Sequence, residues 1–224
     1  MLAVLLAAIL YGGYRMVEWP GFHLQRVIVS GNAHVPSQQI VAAVGVPANR
    51  NLWLVPLGPA AARVEAIPWI DRARLSRIPP ATLRVRVSER APAAVVALPA
   101  AVDDASGYAL VDAGGRILER ANRPAWTQPI VRGIDPKSAE FPRIIADLRT
   151  LSAAGVRVRE LDVLPLGELA AVTYTRLRLD LGDDSDLARK ASLVNPIIAR
   201  LGRRVARVAA LDLRAPRTPV VVYR

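Results

Sequence analysis

The chain contains no cysteine. A thiolate nucleophile, a redox-active dithiol and a cysteine-held metal are thereby excluded, while an oxidising compartment is neither demanded nor ruled out. Aromatic residues make up only 5% of the 224 residues, so any core must be built from aliphatic side chains. Histidine is limited to His23 and His34, whose spacing does not bring a pair onto one metal. No nucleophile elbow, phosphate loop or dinucleotide fingerprint occurs, and "DAGGR" at 112–116 reads as a hairpin turn rather than a phosphate cradle. "GDDSD" at 182–186 resembles half a calcium loop but lacks its central glycine and distal glutamate, so helix N-capping explains it better. Asp103-Asp104 falls in a loop. These absences predict a protein that is not an enzyme, with no cofactor, no metal and no small-molecule substrate.

Arginine is what the chain has in quantity. The formal charge of +11 rests almost wholly on it, since Lys137 and Lys190 are the only lysines. In "LRVRV" and "RLRLDL", and over the first four residues of "RARLSR" and "VRVREL", every second residue is apolar, the alternation of a strand with one solvated face. A nucleic-acid binder would gather its arginines into a stripe with interleaved aromatics. A solvated surface that favours acidic partners is therefore expected, with anionic lipid or nucleic acid as the alternative. The first fourteen residues, "MLAVLLAAILYGGY", carry no charge. As a helix they reach about 21 Å, short of a hydrocarbon core of about 30 Å. They have neither the basic start nor the cleavage site of a signal peptide. Residues 1–18 are read as an incomplete transmembrane anchor, with Tyr14 and Trp19 suited to the interface.

After the anchor, Phe22, Leu24, Val27 and Val29 predict a strand, and Gly31-Asn32 a turn. Pro36 opens a short helix with Ile40, Val41 and Val44 on one side and Gly45 as its stop. A second helix is expected from Pro59 to near Pro68, then strands in "WIDRARLSR" and "TLRVRVSER" joined through "IPPA". A second region begins at "ERAPAAVVALPAA", with a hairpin about Gly114-Gly115. A polar stretch with Pro124, Pro129 and Pro136 leads to a helix striped by Ile144, Ile145, Leu148 and Leu151. Three strands follow in "VRVRELDVL", "LAAVTY" and "RLRLDLG", then a helix that Pro196 should kink or split. "VAALDLR" and "PVVVYR" close the chain as a strand pair.

The succession "FHLQRVIVSGN", "AIPWIDRARLSRIPPATLRVRVSERAPAAV", "YALVDAGGRIL", "QPIVRG", "LRLDLG" and "LDLR" resembles the FtsQ/DivIB bacterial cell-division proteins from about Phe22 onward. The resemblance implies an α+β chain with an N-terminal transmembrane helix, a POTRA domain (β-α-α-β-β) over 22–90 and a mixed β domain over 91–224. That second domain would have a largely antiparallel sheet and flanking helices. It implies a divisome scaffold in the cytoplasmic (inner) membrane, single-pass, with its bulk on the periplasmic or extracytoplasmic side and enrichment at the septum. Its partners would be FtsB-like and FtsL-like proteins, with others possible through the POTRA domain. An added strand at the last β-domain edge would hold the partner, through Arg214, Arg217, Val220, Val221, Val222 and Tyr223. By strand alternation Val221 and Tyr223 should share one face, Val220 and Val222 the other. The plainer alternative is a strand that only completes its own sheet. Glu89 and Arg90 match the family's Glu-Arg before proline and are expected to form an ion pair or cap. Trp53, Trp69 and Ile70 are expected to be packing residues. Two departures stand out: Arg15 follows the anchor where the family has a basic segment before it, and Ala215 follows Arg214 where the family often has an aromatic. A POTRA-type factor for outer-membrane protein assembly or secretion would call for repeated units or a barrel.

Overall fold

The computed structural model describes residues 11–12, 19–47, 49–98, 107–124 and 126–224. The Asp103-Asp104 loop and all but two residues of the expected anchor lie outside them, and among the described residues no helix is long and apolar enough to cross a membrane. The chain divides into two compact units, up to Arg90 and from Ala91.

The first unit runs β1 (Arg26–Ser30), α1 (Ser37–Val44), α2 (Leu57–Glu65), β2 (Ile70–Ile78) and β3 (Thr82–Glu89). The strand-helix-helix-strand-strand order is the expected one, and the sheet order is β1-β3-β2. β3 pairs antiparallel with β2 and parallel with β1, so the two helices form the crossover that a parallel pair requires. In β3 the apolar Leu83, Val85 and Val87 face the core while Arg84, Arg86 and Ser88 face solvent. Ile40, Leu52, Val64, Ile70, Leu83 and Val85 are fully buried between sheet and helices. Val41, expected on the buried side of α1, is exposed, because it lies one residue and about 100° around the helix from Ile40. β1 starts later than its apolar pattern suggested: Phe22 belongs to a 3-10 turn at Pro20–Phe22. α2 starts at Leu57, two residues before Pro59, which its first turn tolerates because the missing N–H would have no partner there.

Glu89, at the end of β3, anchors the loop after β1. Its carboxylate accepts from the backbone N–H of Ala33, His34 and Val35 and meets His34 Nδ1 at 2.9 Å. Gly31 makes the approach possible: its φ is +91°, and a Cβ there would collide with the Val87 carbonyl. The His34 ring stacks on Trp69, with 4.3 Å between centroids. Arg90 pairs with Asp71 at 3.2 Å. Cap and ion pair are thus both present. Ile70 packs as expected, but Trp53 is 51% exposed, lying edge-on to Phe22 and beneath the Arg77 guanidinium.

Among its described residues the second unit forms one nine-stranded sheet, ordered β12-β11-β10-β9-β8-β7-β4-β5-β6. Its strands are β4 (Pro92–Ala97), β5 (Tyr108–Asp112), β6 (Ile117–Ala121), β7 (Ile130–Arg132), β8 (Val158–Val163), β9 (Leu169–Thr173), β10 (Arg178–Gly182), β11 (Val208–Asp212) and β12 (Val220–Tyr223). Parallel pairing occurs at β4–β7, β7–β8 and β10–β11, and the rest is antiparallel. β7 has only three residues, too few to show an alternation in the sequence. α3 (Phe141–Ala153) and α4 (Leu187–Leu201) pack on the sheet through Phe141, Ile144, Ile145, Leu148, Leu151, Leu187, Ala191 and Val194.

Pro196 does not split α4. It lies on the exposed side, where water can take up the Ser192 carbonyl that lacks a helical partner. The expected cap is also absent: Asp186, before α4, has φ +54° and makes no side-chain cap. The acidic run serves instead as a counter-charge. Lys190 is fully buried, and its ammonium donates to both the carbonyl and the carboxylate of Asp183 at 2.9 Å, as a buried charge requires.

Candidate docking edge

β12 is the outermost strand of the nine, paired on one side to β11 with Asp212 opposite Val220, Leu211 opposite Val221 and Ala210 opposite Val222. Leu213 donates its N–H to Asp180 of β10. Backbone groups alternate in direction along a strand, so residues 210 and 212 of β11 turn theirs toward β12 and are met by Val222 and Val220. The same parity holds beyond a bulge, where Arg224 donates to the Arg207 carbonyl. The N–H and C=O of Val221 and Tyr223 therefore point away from the sheet, and no described strand pairs with them.

The side chains divide as the register dictates. Val221, opposite the fully buried Leu211, packs on the core. Tyr223 lies on the same side opposite Val208, at the margin, 50% exposed. Val220 and Val222, on the other side, are 54% and 43% exposed, an unusual density of apolar surface for an open edge. Arg217 stands exposed in the turn between the two strands, closed by a bond from the Thr218 N–H to the Ala215 carbonyl.

Arg214 sits two residues beyond Asp212, which places both on the Val220–Val222 side. Its Nε and Nη2 reach the two Asp212 oxygens at 3.0 and 2.6 Å, and its N–H also bonds Oδ1. The Arg214 bonds hold the Asp212 carboxyl below its usual range, and Asp212 in turn raises the guanidinium. Gly182, with φ +66°, lets the Arg214 stem lie against the end of β10, where a Cβ would stand 3.0 Å from Arg214 Cγ. Arg178 and Asp180 form a parallel pair at 2.8 Å beside it, and a cleft of about 180 Å³ opens between Arg214 and Leu164, Glu168 and Leu169. The structure thus brings Arg214 and the exposed valines onto one side and puts Tyr223 on the other. Asp212, which fixes Arg214, was not singled out in the sequence, although its i, i+2 spacing in "DLR" carried the signal.

Residues 22–90 match the FtsQ-type POTRA domain, and residues 100–214 match the C-terminal region of cell division protein FtsQ/DivIB. The chain belongs to the FtsQ/DivIB family. It is 26% identical over 235 aligned positions to the cell division protein FtsQ of Syntrophotalea carbinolica, an alignment covering 98% of this chain and 80% of that one. With the FtsQ of Shewanella oneidensis the identity is 25% over 222 positions, covering 95% and 80%, and with that of Bordetella pertussis 30% over 190, covering 82% and 68%. Membership in FtsQ/DivIB makes this a cell-division protein and its first unit a POTRA domain. The C-terminal match stops at Arg214, so β12 lies beyond it.

Proposed function

We propose that this FtsQ/DivIB protein is a non-enzymatic, single-pass membrane scaffold of the divisome that receives FtsB-like and FtsL-like partners by strand addition along β12. In this reading residues 1–18 belong to the anchor, 22–90 form the POTRA domain and 91–224 the β domain, with the bulk outside the cytoplasm. One observation carries it: the outward N–H and C=O groups of Val221 and Tyr223, flanked by the exposed side chains of Val220 and Val222. Such an edge supplies main-chain hydrogen bonds for affinity, while alternate side chains supply selectivity. Arg214, held by Asp212, offers a fixed guanidinium to an acidic residue of the added strand, and Arg217 a second, less constrained one.

A photo-crosslinking scan from Thr218 to Tyr223 in dividing cells tests this. Capture of a small coiled-coil division protein at alternate positions is the expected result. Intramolecular crosslinks alone, from chain that is expressed and localised, would mean that β12 only closes its own sheet. Tyr223→Ala should weaken partner binding by about 1–3 kcal/mol, with much less effect on folding because the ring is half exposed.

A further inference from the structure

The solvent side of the POTRA sheet has a composition that folding does not require. From the register, its outward residues are Arg26, Ile28 and Ser30 on β1, Thr82, Arg84, Arg86 and Ser88 on β3, and Arg72, Arg74, Ser76 and Ile78 on β2. Five are arginines, all exposed; the acidic residue at the margin of this face, Asp71 in the bulge that opens β2, is paired with Arg90. None of the five forms an ion pair with any described residue. Arg74 stands directly opposite Arg86, a like-charged cross-strand pair that weakens the sheet. By contrast Arg77, on the inward side of β2, is engaged, donating to the carbonyls of Leu52 and Val55.

We infer that this arginine face docks on anionic phospholipid headgroups at the membrane surface. Strand spacing sets the guanidiniums in rows about 5 Å apart, with about 7 Å between successive charges in a row. That makes a broad cationic grid suited to a repeating array of phosphates. A protein partner would want a central aromatic or aliphatic anchor, and the centre of this face offers only arginine and serine, with its two isoleucines at Ile28 and Ile78. Distance also favours lipid: the uncharged N-terminal run ends before Arg15, eleven residues from Arg26, so the face is tethered within at most about 40 Å of that run. The inference rests on the membrane attachment proposed above and not on β12.

The absence of cysteine gives a clean test, because Ser76→Cys creates a single labelling site on the face of the full chain. The labelled protein is mixed with vesicles of phosphatidylcholine alone or of phosphatidylcholine with phosphatidylglycerol. Flotation with the neutral vesicles reports the anchor, and quenching of the label by acrylamide reports the face, so the two can fail separately. The expected result is protection of the label only on anionic vesicles, reversed by salt and weakened roughly fivefold for each of Arg74→Gln, Arg84→Gln and Arg86→Gln. Should a variant fold poorly, the salt titration of the labelled arginine-containing chain decides the matter. Equal quenching on both vesicle types overturns the inference, as does protection by a polyglutamate peptide but not by lipid, which would point to an acidic protein.

Discussion

Glu89 has a side chain only 8% exposed, so burial pushes its pKa up, yet the N–H groups of Val35, His34 and Ala33 and the His34 ring outweigh that and bring it from 4.5 to about 2. Because the folded value lies below the unfolded one, the stabilisation is fully present above pH 4.5 and drains away as pH falls toward 2. It should amount to about 2 kcal/mol after allowance for solvent screening. Urea midpoints measured between pH 6 and 2 should fall over that window for the POTRA domain, and Glu89→Gln should flatten the fall. The sequence made a cap or ion pair at Glu89-Arg90 foreseeable but not its target. Residues 33–35 are more than fifty positions away, and only the turn at Gly31 brings them to the carboxylate.

Among the elements, β12 carries two kinds of valine that the sequence "PVVVYR" shows as equals. Val221 is tied to the core and Val222 is not, so Val221→Ala should lower the stability of the free β domain by about 1 kcal/mol. Val222→Lys should change it by less than about 0.5 kcal/mol. Partner capture should respond the other way, since a lysine on the outer side discourages strand addition. Denaturant midpoints beside pull-down yields would show the inversion. The long, alternating strands and the α3 stripe were legible because period and burial coincide over many residues. β7 was not, having only three residues. The continuity of α4 through Pro196 was hidden because sequence shows the missing N–H and not which side of the helix faces water.

At the scale of the whole molecule, two cores share no residue and are largely aliphatic, as the scarcity of aromatics led one to expect, with Phe141 the buried exception. The alternating arginines other than Arg77 are exposed, but sequence could not show that those of β1, β2 and β3 come together on one side, because β3, last in the chain, is inserted between the other two. That insertion also sets an order in time. The β2–β3 hairpin is local and can zip soon after it is made, whereas β1 must wait for a partner some fifty-five residues downstream and bears the larger loop-closure entropy. The Glu89 carboxylate, which clasps the loop after β1, can engage only at the end of that sequence of events. Stopped-flow chevrons should therefore show Val85→Ala slowing refolding, while Glu89→Gln leaves refolding nearly unchanged and speeds unfolding, the behaviour of a latch that closes after the barrier has been crossed.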